Sequence, residues 1–196
     1  LKRIGEDIVD EFNQSFQFPN YVNKNILGIA YNFSSSDAKI DASAFGKGYW
    51  YSGKIITQDF ENNDITNEPN TQTAGYGAAL SYRILPGFLV KSSYEKAFRL
   101  PESYEILGDG IYVNPNPTLQ PEKSHNFNLG SRYSNQFTDL GLKIEANYFY
   151  RFSEDFIRFN PLGPFGEYEN LNDVKTEGIE GSIDISYKDR LLINPN

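Results

Sequence analysis

The chain has 196 residues, with 18 Lys or Arg against 26 Asp or Glu, for a formal net charge of −8. That balance argues against nucleic acid as the main partner, because phosphate backbones are held by basic patches. With no Cys and a single His, disulfides, thiolate chemistry and Cys- or multi-His-ligated metals are excluded, and no cofactor is expected.

Aromatic residues are plentiful, at 14 Tyr, 15 Phe and 1 Trp, yet mean hydropathy is −0.54. Apolar residues are therefore dispersed by alternation, which is a β signature. No run approaches 18 apolar residues, so no transmembrane helix is predicted. The chain opens on Leu1 and contains no Met, and a piece of a longer protein is expected.

Residues 1–24, with Phe12, Phe16, Phe18 and Tyr21 among polar residues and Pro19, read as the end of a loop. Two strands follow. Asn25–Phe33 places Leu27, Ile29, Tyr31 and Phe33 on one face, and Ala38–Tyr51 places Ile40, Ala42, Ala44 and Trp50 opposite Lys39, Asp41, Ser43 and Lys47. Only Ser34–Asp37 separates them, a hairpin spacing. Residues 52–74 read as a long polar loop. The third strand carries Tyr76, Ala78, Leu80, Tyr82 and Ile84 on one face, and Pro86-Gly87 makes a two-residue turn. The fourth carries Phe88, Val90, Tyr94 and Phe98.

A long insert rich in Pro, Gly and Asn separates the fourth strand from the fifth, which begins near Lys123 with His125, Phe127, Leu129 and Tyr133 on one face. Ser134–Thr138 is a short turn. The sixth strand, Leu140–Phe152, is the longest clean alternation, and residues 153–172 form another long loop. The seventh carries Ile179, Ile183, Ile185 and Tyr187 before a short turn at 188–190. No helix competes with these seven strands.

The connections alternate short and long, which sorts them to opposite ends of a sheet. Transmembrane barrels have short periplasmic turns and long extracellular loops, whereas a soluble sandwich has no such sidedness. Leu140–Phe152 is also more than twice the usual strand length of about 5–6 residues. The apolar faces end near the long loops in Trp50, Tyr94, Phe98, Tyr148, Tyr150 and Phe152, as an interfacial girdle would. The opposite faces carry Lys91, Glu95, Arg132, Lys143, Glu145, Glu180 and Asp184. Those charges alone fit a solvated exterior or a wet lumen; strand length and loop sidedness favour the barrel.

No enzyme chemistry emerges. His125 reads as an interfacial residue near the rim. The pairs Glu102 and Glu105, Glu167 and Glu169, and Asp59 and Glu61 read as solvated loop acids, with no geometry bracketing a reacting bond. Asp64 and Asp109 match no calcium-loop spacing. Loop aromatics Tyr104, Ile106, Tyr112, Phe156, Phe159, Phe165 and Tyr168 either enclose an external ligand or pack on one another. Tyr104, Tyr112, Phe165 and Tyr168 are the candidate ligand contacts.

The insert carries the most specific pattern. Ser93 to Glu102 reads Ser-Tyr-Glu-Lys-Ala-Phe-Arg-Leu-Pro-Glu, with Arg99, Leu100, Pro101 and Glu102 closing it. Asn116, Pro117, Leu119, Pro121 and Glu122 then form Asn-Pro-x-Leu-x-Pro-Glu. This pair resembles the barrel of TonB-dependent outer-membrane receptors. Asp155-Phe156-Ile157, Tyr168-Glu169-Asn170, Lys175 to Glu180 and Phe45-Gly46-Lys47-Gly48-Tyr49 are similar to further barrel patterns of that family. Two departures occur: Pro115 stands where Gly is often found and Gln120 where Lys is frequent.

The resemblance implies an all-β fold: seven or eight long strands of a 22-stranded antiparallel barrel in the bacterial outer membrane. Residues 1–196 are expected to be part of that one domain, truncated at both ends, with the plug domain absent. It also implies active import of a scarce bulky nutrient such as iron–siderophore, cobalamin or glycan. Implied partners are outer-membrane lipid, the plug and remaining strands, a TonB-type energy-coupling protein and the ligand. A soluble or surface glycan-binding β-domain and a passive porin are the alternatives. In this frame the Arg99–Glu122 insert is expected to be a rigid extracellular loop whose Tyr104–Tyr112 tip meets ligand.

Overall fold

The structure is a computed structural model and describes residues 3–4, 20–58, 63–188 and 191–193. In chain order the elements are β1 (Arg3–Ile4), β2 (Tyr21–Ser34), β3 (Ile40–Gln58), β4 (Asp64–Asn67), β5 (Asn70–Leu85), β6 (Phe88–Arg99) and α1 (Ser103–Leu107). There follow β7 (Val113–Asn114), β8 (Glu122–Phe137), β9 (Leu140–Glu154), β10 (Phe156–Leu162), β11 (Phe165–Leu171), β12 (Val174–Tyr187) and β13 (Leu191–Ile193). Among the described residues, ten strands form one antiparallel sheet in chain order, β1-β2-β3-β5-β6-β8-β9-β12-β13, with β4 folded onto β3; β10, β11 and β7 form a second. The large sheet is open, and its seven long strands are the seven predicted.

Four expectations change in detail. β2 begins at Tyr21, inside the stretch read as loop, while residues 5–19 of that stretch lie outside the described residues, as do Asp59, Glu61 and 189–190. The predicted 52–74 loop is largely strand, because β3 runs to Gln58, pairs with β4 and hands back to β5 at Asn70. The predicted 153–172 loop is the β10–β11 hairpin. A helix is present after all, α1, five residues inside the insert. The extensions share one cause: beyond the apolar band polar residues interrupt the apolar face while isolated residues such as Val22 and Ile55 are buried on the other, and the regular hydropathy alternation that announces a strand disappears.

At the short-turn end each connection is tied to its neighbour by a backbone bond. Arg83 N donates to Lys39 O, Ser134 N to Gly87 O and Lys188 N to Asp139 O, each at 2.8 Å. Gly87 has φ of 83°, and a Cβ there would overlap the Ser134 carbonyl oxygen, so Gly is required at the Pro86-Gly87 turn.

One sheet face is apolar and open. Ile29 and Ile179 are 80% and 81% exposed, an arrangement that water does not tolerate over a whole sheet. From Ile179 on β12, the lateral row runs through Tyr148, Leu129, Ser92, Leu80 and Ala42 to Phe33 on β2. On β12 Ile179 is the last apolar residue of this face before Glu177. On β2 apolar residues continue to Leu27, six residues past Phe33. The band edge thus climbs about 20 Å across roughly 29 Å of sheet, from ~3.3 Å per residue and ~4.8 Å per strand. That slope is a strand tilt of about 35°, within the range of transmembrane barrels.

The opposite face pairs its charges. Lys143 Nζ lies 3.5 Å from Glu145 and 3.3 Å from Asp184, Arg132 lies 4.0 Å from Glu145, and Lys47 lies 3.6 Å from Glu95. Arg151 Nε donates to Asn126 Oδ1 at 2.8 Å. The buried core sits at the long-connection end of this polar face, where Val22, Tyr49, Tyr51 and Ile55 of the sheet meet Leu100, Ile106, Leu119 and Ile157 from the connections.

Candidate functional site

The insert after β6 is built around one guanidinium. Pro101 has no N–H to extend the ladder, so β6 stops at Arg99. Arg99 Nη1 then donates to both carboxylate oxygens of Glu105 at 3.1 Å, and its Nε to Glu122 Oε2 at 3.2 Å. The Glu102 N–H donates to Glu105 Oε2 at 2.6 Å, which holds the start of α1. Glu105 was expected to be a solvated loop acid; its side chain is only 4% exposed. The correction has a plain cause: Arg99 and a backbone amide supply the donors that a buried carboxylate needs. Lys24 of β2 reaches Glu102 at 3.1 Å, so the insert is tied to a third long strand.

Each family-pattern residue occupies a structural position. Leu100, Pro101, Leu119 and Pro121 are buried and Pro117 is half-buried. Asn116 turns the chain by accepting the Thr118 N–H at 3.1 Å, while its Nδ2 donates to the Tyr168 carbonyl at 2.8 Å. Asn170 completes the link: it accepts the Gln120 N–H at 2.8 Å and donates to the carbonyls of Gln120 at 3.0 Å and Asp155 at 2.7 Å. Gln120, noted only as a departure from the family pattern, is thus a fixed point between two connections. These bonds tie the insert to the β10–β11 hairpin.

The four candidate aromatics fall into two groups. Tyr104 meets Tyr168 edge-on, with centroids 5.6 Å apart at 80°, and Tyr168 meets Phe159 at 5.3 Å. Phe159 and Tyr168 are direct partners in the β10–β11 hairpin, with Ile157 below on the same face. Burial, then the Tyr104 hydroxyl, push the Tyr168 phenol above its ordinary pKa. Phe165, three residues from Tyr168 on the same strand, lies on the hairpin's other face with Arg158 and Glu169, which pair at 2.9 Å. Tyr112 joins that second group: Gly166 N donates to its carbonyl at 2.9 Å, and Val113 pairs with Gly166. Ile106, another loop candidate, is wholly buried under the insert. Phe159 completes the first group.

Asp109 organises the insert's tip. Its Oδ1 accepts the N–H groups of Ile111, Tyr112 and Val113 at 2.9, 2.7 and 2.8 Å. The Val113 and Ile111 amides lead in holding its carboxyl below the usual carboxylate range, and the Tyr112 amide adds to them. A depressed folded-state pKa contributes order that is fully present above the ordinary carboxylate pKa and is lost as pH falls through the lower value. Hydrogen exchange at Ile111–Val113 is therefore expected to stay slow through the normal carboxylate titration range and to speed up only below it. The Asp109→Ala variant is expected to exchange fast at every pH.

Below the rim, the polar face holds an open cleft of about 320 Å³ lined by Asn126, Asn128, Asn147, Arg151, Thr176 and Glu180. Among the described residues no His, Asp and Glu cluster is arranged to hold a metal. The long tilted strands, the paired charges on one face and the folded rim define one wall of a transmembrane β-barrel. A family model described as TonB dependent receptor-like, beta-barrel, matches residues 15–195, and the chain belongs to that family. Its members are outer-membrane proteins of Gram-negative bacteria.

Solved structures agree on the fold. The chain is similar to a double mutant of the Serratia marcescens hemophore receptor HasR, in complex with its hemophore HasA and heme, at 17% identity and a TM-score of 0.66. That match covers 86% of this chain and 32% of HasR. The copper transporter OprC matches at 14% identity and 0.61, over 87% of this chain and 28% of its own. The FrpB iron transporter from Neisseria meningitidis matches at 13% identity and 0.56, over 87% and 24% respectively. No curated protein matches the sequence. The chain spans about a third or less of each of these structures.

Proposed function

We infer that this chain forms part of the wall and extracellular rim of a TonB-dependent receptor that actively imports a scarce bulky nutrient across the outer membrane. Iron–siderophore, cobalamin and glycan are the ligand classes considered. The observation that carries this reading is the rim: the insert between β6 and β8 and the β10–β11 hairpin fold over the polar face and present Tyr104, Tyr168 and Phe159 at its mouth. A passive porin needs no such anchored rim, and a soluble glycan-binding domain would bury the apolar face that is open here. The paired charges of the polar face, Lys47–Glu95 and Arg132–Glu145–Lys143–Asp184, suit contact with a plug domain and with cargo moving past it. The plug, the remaining strands and the segment that meets the TonB-type protein belong to the rest of the receptor.

The aromatic cluster is the proposed ligand contact, because edge-on rings present both π-faces and phenol hydroxyls to a planar or sugar-like cargo. In the intact receptor, Tyr104→Ala with Tyr168→Ala is expected to weaken cargo binding about tenfold or more, since aromatic anchors that become buried on binding dominate such sites. Phe165→Ala, on the other hairpin face, is expected to leave affinity within about twofold by the same argument. Cargo is first identified by growth of a receptor-deletion strain on single iron, cobalamin or glycan sources, and affinity is then measured by titration calorimetry. Equal affinity of the double variant and wild type would remove this cluster from the site.

A further inference from the structure

On the polar face a phenylalanine ring lies among amides. Asn147, Phe149 and Arg151 of β9 point to that face in turn. Their ladder partners are Gly130, Asn128 and Asn126 on β8, and Glu180, Gly178 and Thr176 on β12. Phe149 is therefore the centre of the patch. Its ring leans across the ladder onto Gly178, where a Cβ would stand 2.7 Å from the ring's Cζ. Asn147 leans the other way over Gly130, with its Oδ1 3.0 Å from where a Cβ would stand. Both side chains lie down where a glycine leaves room, and Phe149 joins the lining of the cleft of about 320 Å³. Only the Nε of Arg151 is engaged, by Asn126 Oδ1 at 2.8 Å. Arg151 and Glu180 both line the cleft and form no ion pair among the described residues. Phe45 on β3 shows the contrast. It leans onto Gly77 in the same manner, but Lys47 Nζ caps its ring at 4.7 Å. Among the described residues no cation caps Phe149.

We propose that this cleft is a lumenal subsite for a pyranose ring of a neutral, hydroxyl-rich cargo. A sugar ring has an apolar C–H face and an edge of hydroxyls that each donate and accept. An aromatic ring takes the C–H face, because its negative π-face attracts polarised C–H groups. Asn128, Asn147, Arg151 and Glu180 take the edge, since amides offer both senses, a guanidinium donates and a carboxylate accepts. Charge selects a neutral occupant: the cation and the carboxylate balance, so an anion is repelled by Glu180 and a cation by Arg151. The volume is near the lower end for ligand pockets, about 300 Å³, so the site holds a segment of the cargo rather than the whole. Arg151 lies four residues below Asp155, about 13 Å along the strand, which puts the patch on the inward path from the Tyr104–Tyr168 cluster. The inference rests on the import reading above and adds to it a place on the wall and a chemical class.

The test is calorimetric titration of the full-length receptor in lauryldimethylamine oxide, a detergent with no sugar headgroup, using maltotriose, xylotriose and citrate as separate probes. At least one trisaccharide is expected to bind, with NMR saturation transfer strongest at its ring C–H protons, and citrate is expected not to compete. Phe149→Leu keeps an apolar cover on Gly178 and removes the ring face. Its affinity is expected to fall about tenfold at an unchanged melting temperature. Glu180→Gln removes a charged acceptor and is expected to weaken binding by a similar factor, about tenfold. Phe45→Ala, which removes the capped ring from the same face, is expected to leave affinity unchanged. Equal affinity of wild type and Phe149→Leu overturns the subsite. No sugar binding by wild type assigns the cleft to the receptor's own plug, and competition by citrate assigns it to anions at Arg151; either result also overturns the proposal. The import reading fails separately, if the receptor-deletion strain takes up every cargo as wild type does.

Discussion

Replacing Arg99 with Ala in the intact receptor is expected to free the insert after β6 from the rim, at a cost of about 3 kcal/mol. Glu105 is the reason. Its carboxylate is almost wholly buried beneath the insert, and Arg99 supplies two of its hydrogen bonds. Removing the cation leaves a buried anion with the Glu102 amide as its remaining partner in this network. Arg99 itself is 40% exposed, so the cost belongs at the lower end of the range for broken buried pairs. Arg99→Lys keeps the charge and loses the planar fork that spans Glu105 and Glu122, and an intermediate effect is expected. Limited proteolysis and hydrogen exchange over residues 100–121 read the result. If that segment stays as protected as in wild type, the apolar anchors Leu100, Ile106 and Leu119 hold the insert and the ion cluster is dispensable.

Leu129→Arg is expected to destabilise the receptor by about 2–4 kcal/mol in a bilayer, the range for a cation on the lipid face near the midplane. Leu129 lies in the middle of the apolar band, between Ser92 and Tyr148. Its chain neighbour supplies the control. Asn128 faces the polar side, donates to Ser93 Oγ at 3.3 Å and lines the cleft that also holds Glu180. Asn128→Arg exchanges one weak hydrogen bond for a solvated cation near a carboxylate, and a change under about 1 kcal/mol is expected. Denaturant unfolding in liposomes compares the two. Similar losses would mean that the faces do not differ in their surroundings.

Much of the wall is legible in the sequence because lipid on one side and water on the other impose a strict period of two. Leu140–Phe152 shows it residue by residue. The rim is harder. Where Tyr21–Lys24 and Asn70–Gln72 extend their strands past the apolar band, polar residues interrupt the apolar face, Val22 alone is buried on the other, and the period vanishes. Glu105 reads as one more loop acid, since its partner Arg99 is six residues away across a proline bend. The parity of Phe165 and Tyr168 did carry information: residues three apart on a strand point to opposite faces, which separates them before any coordinates. Tyr104 meeting Tyr168, and Asn170 tying Gln120 to Asp155, are contacts between distant connections and leave no local trace.

The central claim is that one face of this sheet meets lipid and the other meets water. Single cysteines placed from Leu142 to Tyr148 test it directly, since this chain contains no native Cys. With nitroxide labels on the receptor in liposomes, molecular oxygen reports lipid and a water-soluble nickel chelate reports water. Strong oxygen relaxation is expected at positions 142, 144, 146 and 148 and strong nickel relaxation at 143, 145 and 147, with the two series out of phase. Nickel access that is equally high on both faces would contradict it.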